Sequence, residues 1–283
     1  MAKKKIGFID LFIDEWHANN YPGWLRESPL YDQFELAYAY EVKANPNGRN
    51  LVQWCKDFDM IPAASIEEVV EKSDCLFVLA PSNPEVHEQL AELPLKSGKP
   101  LYIDKPFAPS RAAAERIFAL ADAHNTPMFS SSALRFGDEL IQARKDLAGK
   151  KPECVITCGG GGSLDEYAIH QLEMIVSVMG TGAVKLMRSH GILGDSIHIR
   201  YADGRQAVAN YYPSFGFTIS MGGDFPMVNQ PTQSRTFNNL LDSIMTFFAG
   251  GPNPVDRAET IEIATLLEQS ILAKDKDGIW IDL

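Results

Sequence analysis

Short apolar runs alternate with amphipathic segments through the first 130 residues of the chain. Strand patterns cover residues 5–9, 34–42, 75–80, 100–103 and 127–131. The run 75–80 is apolar at every position, which is typical of a strand buried on both faces. The pattern therefore predicts strands at regular intervals, with a fully buried strand near the centre.

Helical periodicity fills the intervals between these strands. Helices are predicted over residues 51–58, from Ser65 to about Lys72, over 85–96 and over 110–124, with Ser65 and Ser110 as caps. Pro22-Gly23 is expected to end the first helix early. The alternation of strand and helix predicts a Rossmann-like, doubly wound parallel sheet over residues 1–130.

The second half of the chain has a different pattern. A strand over 153–158 leads into four glycines and a helix over 165–179. Alternating segments then cover 184–190, 195–201 and 206–212, and Asp203-Gly204 between the last two is typical of a hairpin. Long helices are predicted over 237–248 and 256–273. We therefore predict an α/β protein with a second domain, residues 131–283, that is α+β with a mainly antiparallel sheet.

Composition narrows the function classes. The 283 residues carry 26 Lys+Arg against 37 Asp+Glu, a net charge of −11, with ordinary globular content of 45% apolar residues. This balance argues against a nucleic acid or an anionic membrane as partner. No run reaches the roughly 18 apolar residues of a membrane span, and Asp10 ends the first apolar run too early for a signal peptide. A cytoplasmic protein with a small-molecule ligand is expected.

The cysteines and acidic residues do not predict a metal centre. Four cysteines are too few for a disulfide framework at this length, and Cys154 and Cys158 lack CxxC spacing. Buried thiols are the expected outcome. We predict no metal site, because no spacing of ligands compels one.

Ligands of doubly wound sheets lie at the carboxyl ends of the strands. Three segments follow predicted strands there: residues 81–87, which include Pro81, Asn83 and His87; Asp104-Lys105-Pro106; and the glycine run with Glu166 and His170 beyond it. Their spacing of four places Glu166 and His170 on one helical face.

These segments, taken in order, resemble the Gfo/Idh/MocA oxidoreductase family. Residues 99–108 are similar to its G-K-H-V-L-x-E-K-P-L-A segment, with Asp104 in place of Glu. Residues 81–87 resemble its T-P-x-x-x-H loop, and residues 160–180 its G-G-G-x-x-x-D-x-G-x-H-x-x-D segment. Arg135 matches an Arg-Phe strand end and Trp280 a terminal aromatic strand. The resemblance covers nearly the whole chain.

The resemblance implies reversible hydride transfer between a sugar, cyclitol or related polyol and NAD or NADP. It implies that Lys105 holds or protonates the reacting hydroxyl and that His170 is the acid or base, with Glu166 in the family's Asp position and Asp165 competing for that role. Substrate-binding candidates are Lys105, Arg135, His170, Trp16 and His17. Simpler roles stay open: a surface lysine, a packing histidine, and a first-turn charge at Glu166 that favours the helix dipole.

The cofactor residues that the resemblance implies are less regular. The candidates are Gly7, Asp10, Phe12, Glu41, Pro81, Asn83, His87 and Asp104. The three glycines of a dinucleotide turn fall near Asp10, Phe12 and Glu15, and none is glycine. A carboxylate about 4 Å from a phosphate costs on the order of 4 kcal/mol at an effective dielectric of 20.

Two outcomes follow for this turn. Either it holds NAD(P) by an unusual path, or the domain has lost the dinucleotide and Asp14, Glu15, Trp16 and His17 line a pocket for a sugar. Three functions stay open: an NAD(P)-dependent oxidoreductase, a lyase or isomerase that uses Lys105 and His170 without nicotinamide, and a sugar-binding or regulatory protein. The resemblance also implies a homo-oligomer through the second-domain sheet.

Overall fold

Six strands of the N-terminal part form a single parallel sheet in the computed structural model, which describes residues 2–231 and 233–283. The strands are β1 (Lys4–Asp10), β2 (Phe34–Glu41), β3 (Ile61–Pro62), β4 (Cys75–Val78), β5 (Leu101–Ile103) and β6 (Met128–Phe129). Their order is β3-β2-β1-β4-β5-β6, with every neighbouring pair parallel. The predicted doubly wound sheet is confirmed, and the two-residue β3 is the strand that the sequence pattern misses.

The helices of this N-terminal part lie in the connections between its parallel strands. They are α1 (Trp16–Glu27), α2 (Leu51–Phe58), α3 (Ile66–Lys72), α4 (Pro84–Leu90), α5 (Glu92–Leu95) and α6 (Arg111–Ala123), and a 3₁₀ turn covers Tyr31–Gln33. Ser65 and Ser110 cap α3 and α6 as predicted, each accepting a backbone N–H three residues on. The single helix predicted over 85–96 is divided into α4 and α5 at Ala91.

Helix α1 does not stop at Pro22, so the prediction of an early end is wrong. Proline removes one backbone hydrogen bond from the helix interior, which costs stability. Tyr21 and Leu25, on either side of it, are completely buried. Burial of these side chains offsets the loss and carries the helix to Glu27.

The core of the sheet is aromatic. Phe8 on β1 packs against Phe77 on β4, with ring centroids 5.0 Å apart. Helix α9 (Thr236–Phe248), much later in the chain, adds two more rings: Phe248 lies 5.3 Å from Phe77, and Phe247 lies 5.1 Å from Phe129. Residues 2–131 and Leu240–Asp256 accordingly form one unit. The predicted domain boundary at residue 130 places Leu240–Asp256 in the second domain, whereas the structure packs this segment into the first unit.

The second unit comprises Ser132–Asn239 and Arg257–Leu283. Its strands are β7 (Cys154–Gly159), β8 (Ala183–His190), β9 (Asp195–Tyr201), β10 (Gln206–Tyr211), β11 (Thr218–Gly223), β12 (Phe225–Gln230) and β13 (Trp280–Asp282). They form a sheet in the order β12-β11-β7-β10-β9-β8-β13, in which the pair β7–β10 is parallel and the other pairs are antiparallel. The predicted mainly antiparallel sheet is confirmed.

Three helices and two 3₁₀ turns complete the described part of this unit. The helices are α7 (Asp138–Asp146), α8 (Leu164–Met179) and α10 (Arg257–Leu272), and the turns cover Ala133–Phe136 and Ala273–Asp275. The sequence pattern does not predict β11 and β12, because Gly222 and Gly223 interrupt the alternation where the two strands meet. Among the described residues, no helix has the length and apolarity needed to cross a membrane.

Gly7 lies where helix α3 presses on strand β1. A Cβ atom at this position would lie 2.4 Å from the Ser73 hydroxyl oxygen and 2.5 Å from a Val69 methyl carbon. The absence of a side chain therefore serves the packing of helix on sheet. This observation gives the predicted cofactor residue Gly7 a structural reason to be glycine.

We expect Gly7→Ala to lower the free energy of unfolding by about 1–3 kcal/mol, because the added methyl group overpacks this contact. Gly23→Ala is the matched control: it lies in α1, and its added methyl group would meet no atom within 4 Å, so the substitution should be neutral or slightly stabilising. Urea unfolding of both variants measures the difference. Equal stabilities would contradict the packing role of Gly7.

Candidate active site

Strand β1 ends in a buried acid. The Asp10 side chain is fully buried, and its Oδ1 accepts the backbone N–H of Phe12 at 3.3 Å. Its Oδ2 has no hydrogen-bond partner among the described residues. Burial, and after it the negative charge of Glu15, raises the pKa of Asp10 well above its ordinary value. The chain thus places a carboxyl group with a raised pKa, and with one oxygen lacking a hydrogen-bond partner among the described residues, at the end of its central strand.

Glu15 closes the turn between β1 and α1. It is the N-cap of α1, and its carboxylate accepts the backbone N–H groups of His17 at 2.8 Å and Ala18 at 2.5 Å. Unpaired N–H groups at this end of a helix are the ones that bind anions. In this chain the anion is the protein's own side chain. Burial raises the pKa of Glu15 to about 7, even though both N–H groups favour the ionised form.

Asp104 and His17 form a buried pair. Asp104 follows β5, and its Oδ2 contacts His17 Nδ1 in the first turn of α1. Its Oδ1 also accepts the backbone N–H of Lys105 at 2.8 Å and the Tyr102 hydroxyl at 3.3 Å. Burial opposes ionisation of Asp104, but His17 and Lys105 outweigh it and hold the pKa of this carboxyl below its ordinary value.

Tyr21 fixes the plane of the His17 ring. It lies one turn further along α1, with the two rings stacked at 5.1 Å and 20°. Its hydroxyl lies 3.2 Å from His17 Nδ1 and 3.4 Å from Asp104 Oδ1. Sequence reasoning missed Tyr21, although its i, i+4 spacing from His17 was the signal that could have found it.

Lys105 belongs to the same group of side chains. It is buried, and its charge lowers the pKa values of Glu15, His17 and Asp104. Together, these side chains form an acid–base cluster that consists of Asp10, Glu15, His17, Asp104 and Lys105. The parallel sheet produces it, because the ends of β1 and β5 lie at the same edge.

Two further acids hold the turn in place. Asp14 pairs with the Arg49 guanidinium at 2.7 Å and accepts the Arg49 backbone N–H at 2.6 Å. Arg49 lowers the pKa of Asp14 to about 2. Glu41, a predicted cofactor residue at the end of β2, accepts the N–H groups of Ile13 at 3.2 Å and Leu51 at 3.0 Å. Phe12 is half-buried in the same turn.

The loop after β4 carries the other predicted cofactor residues. His87 is buried, with Nδ1 3.0 Å from the Phe107 carbonyl oxygen and Nε2 3.1 Å from that of Ala80. Burial lowers the pKa of this imidazole. Asn83 donates its side-chain N–H to Glu85 at 3.0 Å, and Pro81 is buried. His87 therefore joins the loops that follow β4 and β5.

In the second unit, α8 carries His170 and Glu166 one turn apart, as predicted. The Ser132 hydroxyl lies 2.7 Å from His170 Nδ1, and the Phe217 ring lies edge-on at 5.4 Å. Both His170 and Glu166 are half-buried. Their catalytic role stays a prediction.

Arg135 lies in the interior of the second unit. Its guanidinium is buried and pairs with the carboxylates of Glu173 and, at 2.5 Å, Glu259. These ion pairs compensate the buried positive charge of Arg135 within the second unit. Trp16, by contrast, is 54% exposed, with its ring 5.3 Å from that of His17. Among the described residues no group of three His, Cys, Asp or Glu side chains is arranged to hold a metal ion.

Residues 29–131 match the model of an oxidoreductase family with an NAD-binding Rossmann fold, Gfo/Idh/MocA. The predicted resemblance to this family is confirmed. The match begins after the β1–α1 turn. The uncharacterized oxidoreductase YhhX of Escherichia coli is 29% identical over 125 residues, which are 44% of this chain and 35% of YhhX.

Solved structures of dehydrogenases share the fold. Myo-inositol dehydrogenase from Lactobacillus casei, in complex with NAD(H) and myo-inositol, superposes with a TM-score of 0.83 at 10% identity over 100% of this chain and 97% of that one. Scyllo-inositol dehydrogenase from the same organism, with NAD(H) and scyllo-inositol, gives 0.82 at 13% identity over 99% of each chain. A probable dehydrogenase from Thermotoga maritima gives 0.81 at 14% identity over 98% of each. The chain therefore shares the fold of these dehydrogenases.

The β1–α1 turn does not fit the pyrophosphate of a dinucleotide. Such turns use glycines so that backbone N–H groups reach the phosphates at the helix N-terminus. Here Asp10, Phe12 and Glu15 stand at those positions, and Glu15 already accepts the N–H groups of His17 and Ala18. Both oxygens of Glu41 are likewise bonded to backbone. These two N–H groups and both oxygens of Glu41 are thus bonded within the protein itself.

The raised pKa of Glu15 predicts a specific pH dependence of stability. The folded chain holds this proton to about pH 7, above the ordinary value of 4.5, so folding takes up a proton between these values. The free energy of unfolding therefore falls as pH rises through this window, and the loss is complete above it. In Glu15→Gln this loss is absent, and the stability difference between variant and wild type should change by on the order of 2–3 kcal/mol from pH 4.5 to pH 8.

Urea unfolding of wild type and Glu15→Gln at both pH values measures this change. The matched control is Glu27→Gln, at the exposed end of the same helix, which should follow the wild-type dependence. Parallel curves for Glu15→Gln and wild type would contradict the assignment.

Proposed function

We propose that this protein is an enzyme of the Gfo/Idh/MocA type that acts at a hydroxyl-bearing carbon of a sugar, cyclitol or related small polyol. The observation that carries the proposal is the buried Lys105 within the acid–base cluster, beside the ionised Asp104. Fold similarity to dehydrogenases solved with inositols supports the substrate class.

Lys105 is the proposed partner of the reacting oxygen. Removing a proton from a substrate hydroxyl leaves negative charge on oxygen, and a fixed ammonium group stabilises that charge in a site from which water is excluded. The neighbouring charge of Asp104 offsets the cost of burying the ammonium. His170, held through Nδ1 by Ser132, is proposed as an acid–base group of the second unit.

The redox form of this proposal is hydride transfer with NAD or NADP. The NAD-binding description of the family and the NAD(H) complexes of the structural neighbours support it.

A lyase or isomerase without nicotinamide is the second candidate. The capping of α1 by Glu15 favours it, since the usual phosphate-binding N–H groups are occupied. Turnover assays of inositols, aldoses, keto-sugars and sugar acids, followed by NMR with and without the four nicotinamide nucleotides, separate the two forms. Turnover that requires a nucleotide supports the redox form, and turnover in its absence supports the second candidate.

In either form, we expect Lys105→Met to lower kcat by on the order of 100-fold or more, because the developing charge on oxygen loses its ammonium partner. Lys96→Met is the matched control: Lys96 is an exposed residue directly after α5 that pairs with Glu92 at 2.6 Å. It should retain wild-type turnover. Wild-type kcat in a folded Lys105→Met variant, judged by circular dichroism and melting temperature, would refute the proposed role.

A further inference from the structure

We propose that His17, oriented by Asp104, is a further proton-transferring group of this chain in addition to His170, and that the β1–α1 turn takes a neutral, hydroxyl-bearing ligand where a phosphate-binding turn takes an anion. This inference rests on the proposed substrate class and adds a catalytic residue and a ligand position to it.

The first argument is the geometry of the pair. Nδ1 of His17 contacts the Asp104 carboxylate, which accepts hydrogen bonds and cannot donate one when ionised. Nδ1 therefore carries the hydrogen, and Nε2 is the basic nitrogen. A carboxylate on one ring nitrogen, with the other as base, is the arrangement that sets the tautomer of catalytic histidines.

The second argument is rigidity. His17 lies in the first turn of α1 and Asp104 directly after β5, and Tyr21 stacks on the imidazole ring. The turn before His17 is held by Asp14 with Arg49 and by Glu41 with two backbone N–H groups. Side chains fixed in this way lose little entropy when a ligand binds.

The third argument concerns charge. Glu15 caps the helix, and the buried Asp10 has an oxygen without a hydrogen-bond partner among the described residues. A phosphate brought to this turn meets one carboxylate at the N–H groups and another carboxyl beside it. A hydroxyl group, which is neutral and both donates and accepts, satisfies such an oxygen without charge repulsion. The turn therefore selects against anionic ligands and for polyols.

The proposed step is a proton transfer. The substrate O–H bond breaks, the proton passes to Nε2 of His17, and the electron pair stays on the substrate oxygen. Lys105 stabilises that oxygen, and the charge of the resulting imidazolium is offset by Asp104. The reverse transfer restores the neutral imidazole, so the step itself needs no oxidant or co-reactant.

Several titratable groups lie on the elements packed around His17, and of these Asp104 and Lys105 shift its pKa. Glu15 and Tyr21 belong to α1 and the turn before it, and Asp10 ends β1. Tyr102 lies on β5, and Asp104 and Lys105 follow that strand. Burial lowers the pKa of His17 while Asp104 opposes that shift. A pH profile must therefore be compared between variants rather than assigned from wild type alone.

The first experiment measures the wild-type chain by ¹⁵N NMR of its histidines. We expect the His17 signals of an Nδ1–H tautomer and a saturable shift of its Nε2 signal on titration with the polyols that are turned over, with myo-inositol as the first probe. His124, an exposed residue after α6, is the internal control and should not shift. An Nε2–H tautomer, or a His17 signal that no polyol moves, overturns the inference.

The second experiment uses variants. His17→Gln should lower kcat by on the order of 100-fold and remove the acidic limb of the pH profile, as expected when a general base is lost. His124→Gln should leave both unchanged. Should His17→Gln fail to fold, His17→Ala assayed with added imidazole is the replacement, and restored turnover supports the proposal. Wild-type turnover and pH profile in His17→Gln, or no rescue of a folded His17→Ala, overturn it.

Asp104 is tested as a positioning residue. Asp104→Asn presents an amide N–H to Nδ1 and so favours the opposite tautomer, which should change the NMR signals of His17 and lower kcat together. A loss of kcat with an unchanged tautomer assigns Asp104 a purely structural role and contradicts this part of the proposal.

Calorimetric titration with NAD⁺, NADH, NADP⁺ and NADPH tests the ligand preference of the turn. If the turn excludes anions, none of the four nucleotides binds at submillimolar concentration, and the lyase or isomerase form of the proposed function is favoured. Binding of any of them at submillimolar or lower concentration would overturn the exclusion of anions and favour the redox form. The outcomes separate this inference from the proposed function. If Lys105→Met loses turnover and His17→Gln does not, only the inference fails; if no polyol is turned over by the wild type, the proposed function fails.

Discussion

A carboxylate buried at the end of a parallel strand must be compensated, and the arrangement of the first unit follows from that constraint. Removing an ion of this kind from water costs several kcal/mol even after relaxation. Asp104 meets this cost with His17, the Lys105 backbone N–H and the Tyr102 hydroxyl. Those partners come from α1 and from β5 with its following loop, so the helix and the strand are placed relative to each other by one side chain.

The same compensation does not extend to Asp10, and the contrast between the two acids is informative. Asp10 shares the sheet edge with Asp104, but burial raises the pKa of the Asp10 carboxyl, whereas His17 and Lys105 hold the pKa of Asp104 below its ordinary value. Pairs of acids whose surroundings push their pKa values apart are common where proton transfer is carried out.

The inositol dehydrogenases share the fold with this chain, but a Rossmann fold is compatible with many sites, and function must be argued from the residues present.

Much of the fold is predictable from the sequence, whereas the key contact of the site is not. Periodicity locates the strands of the parallel sheet, since residues such as 75–80 are apolar throughout, and serine caps locate α3 and α6. It fails at Pro22, because burial of the neighbouring side chains outweighs the local preference, and at β11 and β12, where glycines hide the alternation. Asp104 and His17 are each candidates from the sequence. Their contact across 87 residues of chain depends on strand order, which no local pattern specifies.

The return of α9 to the first unit has a consequence for how this protein can be divided. Phe247 and Phe248 cover Phe129 and Phe77, and Lys4 donates to the Phe248 carbonyl oxygen at 2.8 Å. The Rossmann unit is therefore not a contiguous stretch of the gene. In a fragment that ends near residue 131, Phe77 and Phe129 lose the rings of α9 that cover them. Recombination that exchanges the second unit between relatives must join the chains near residues 131, 239 and 256 to leave this core intact.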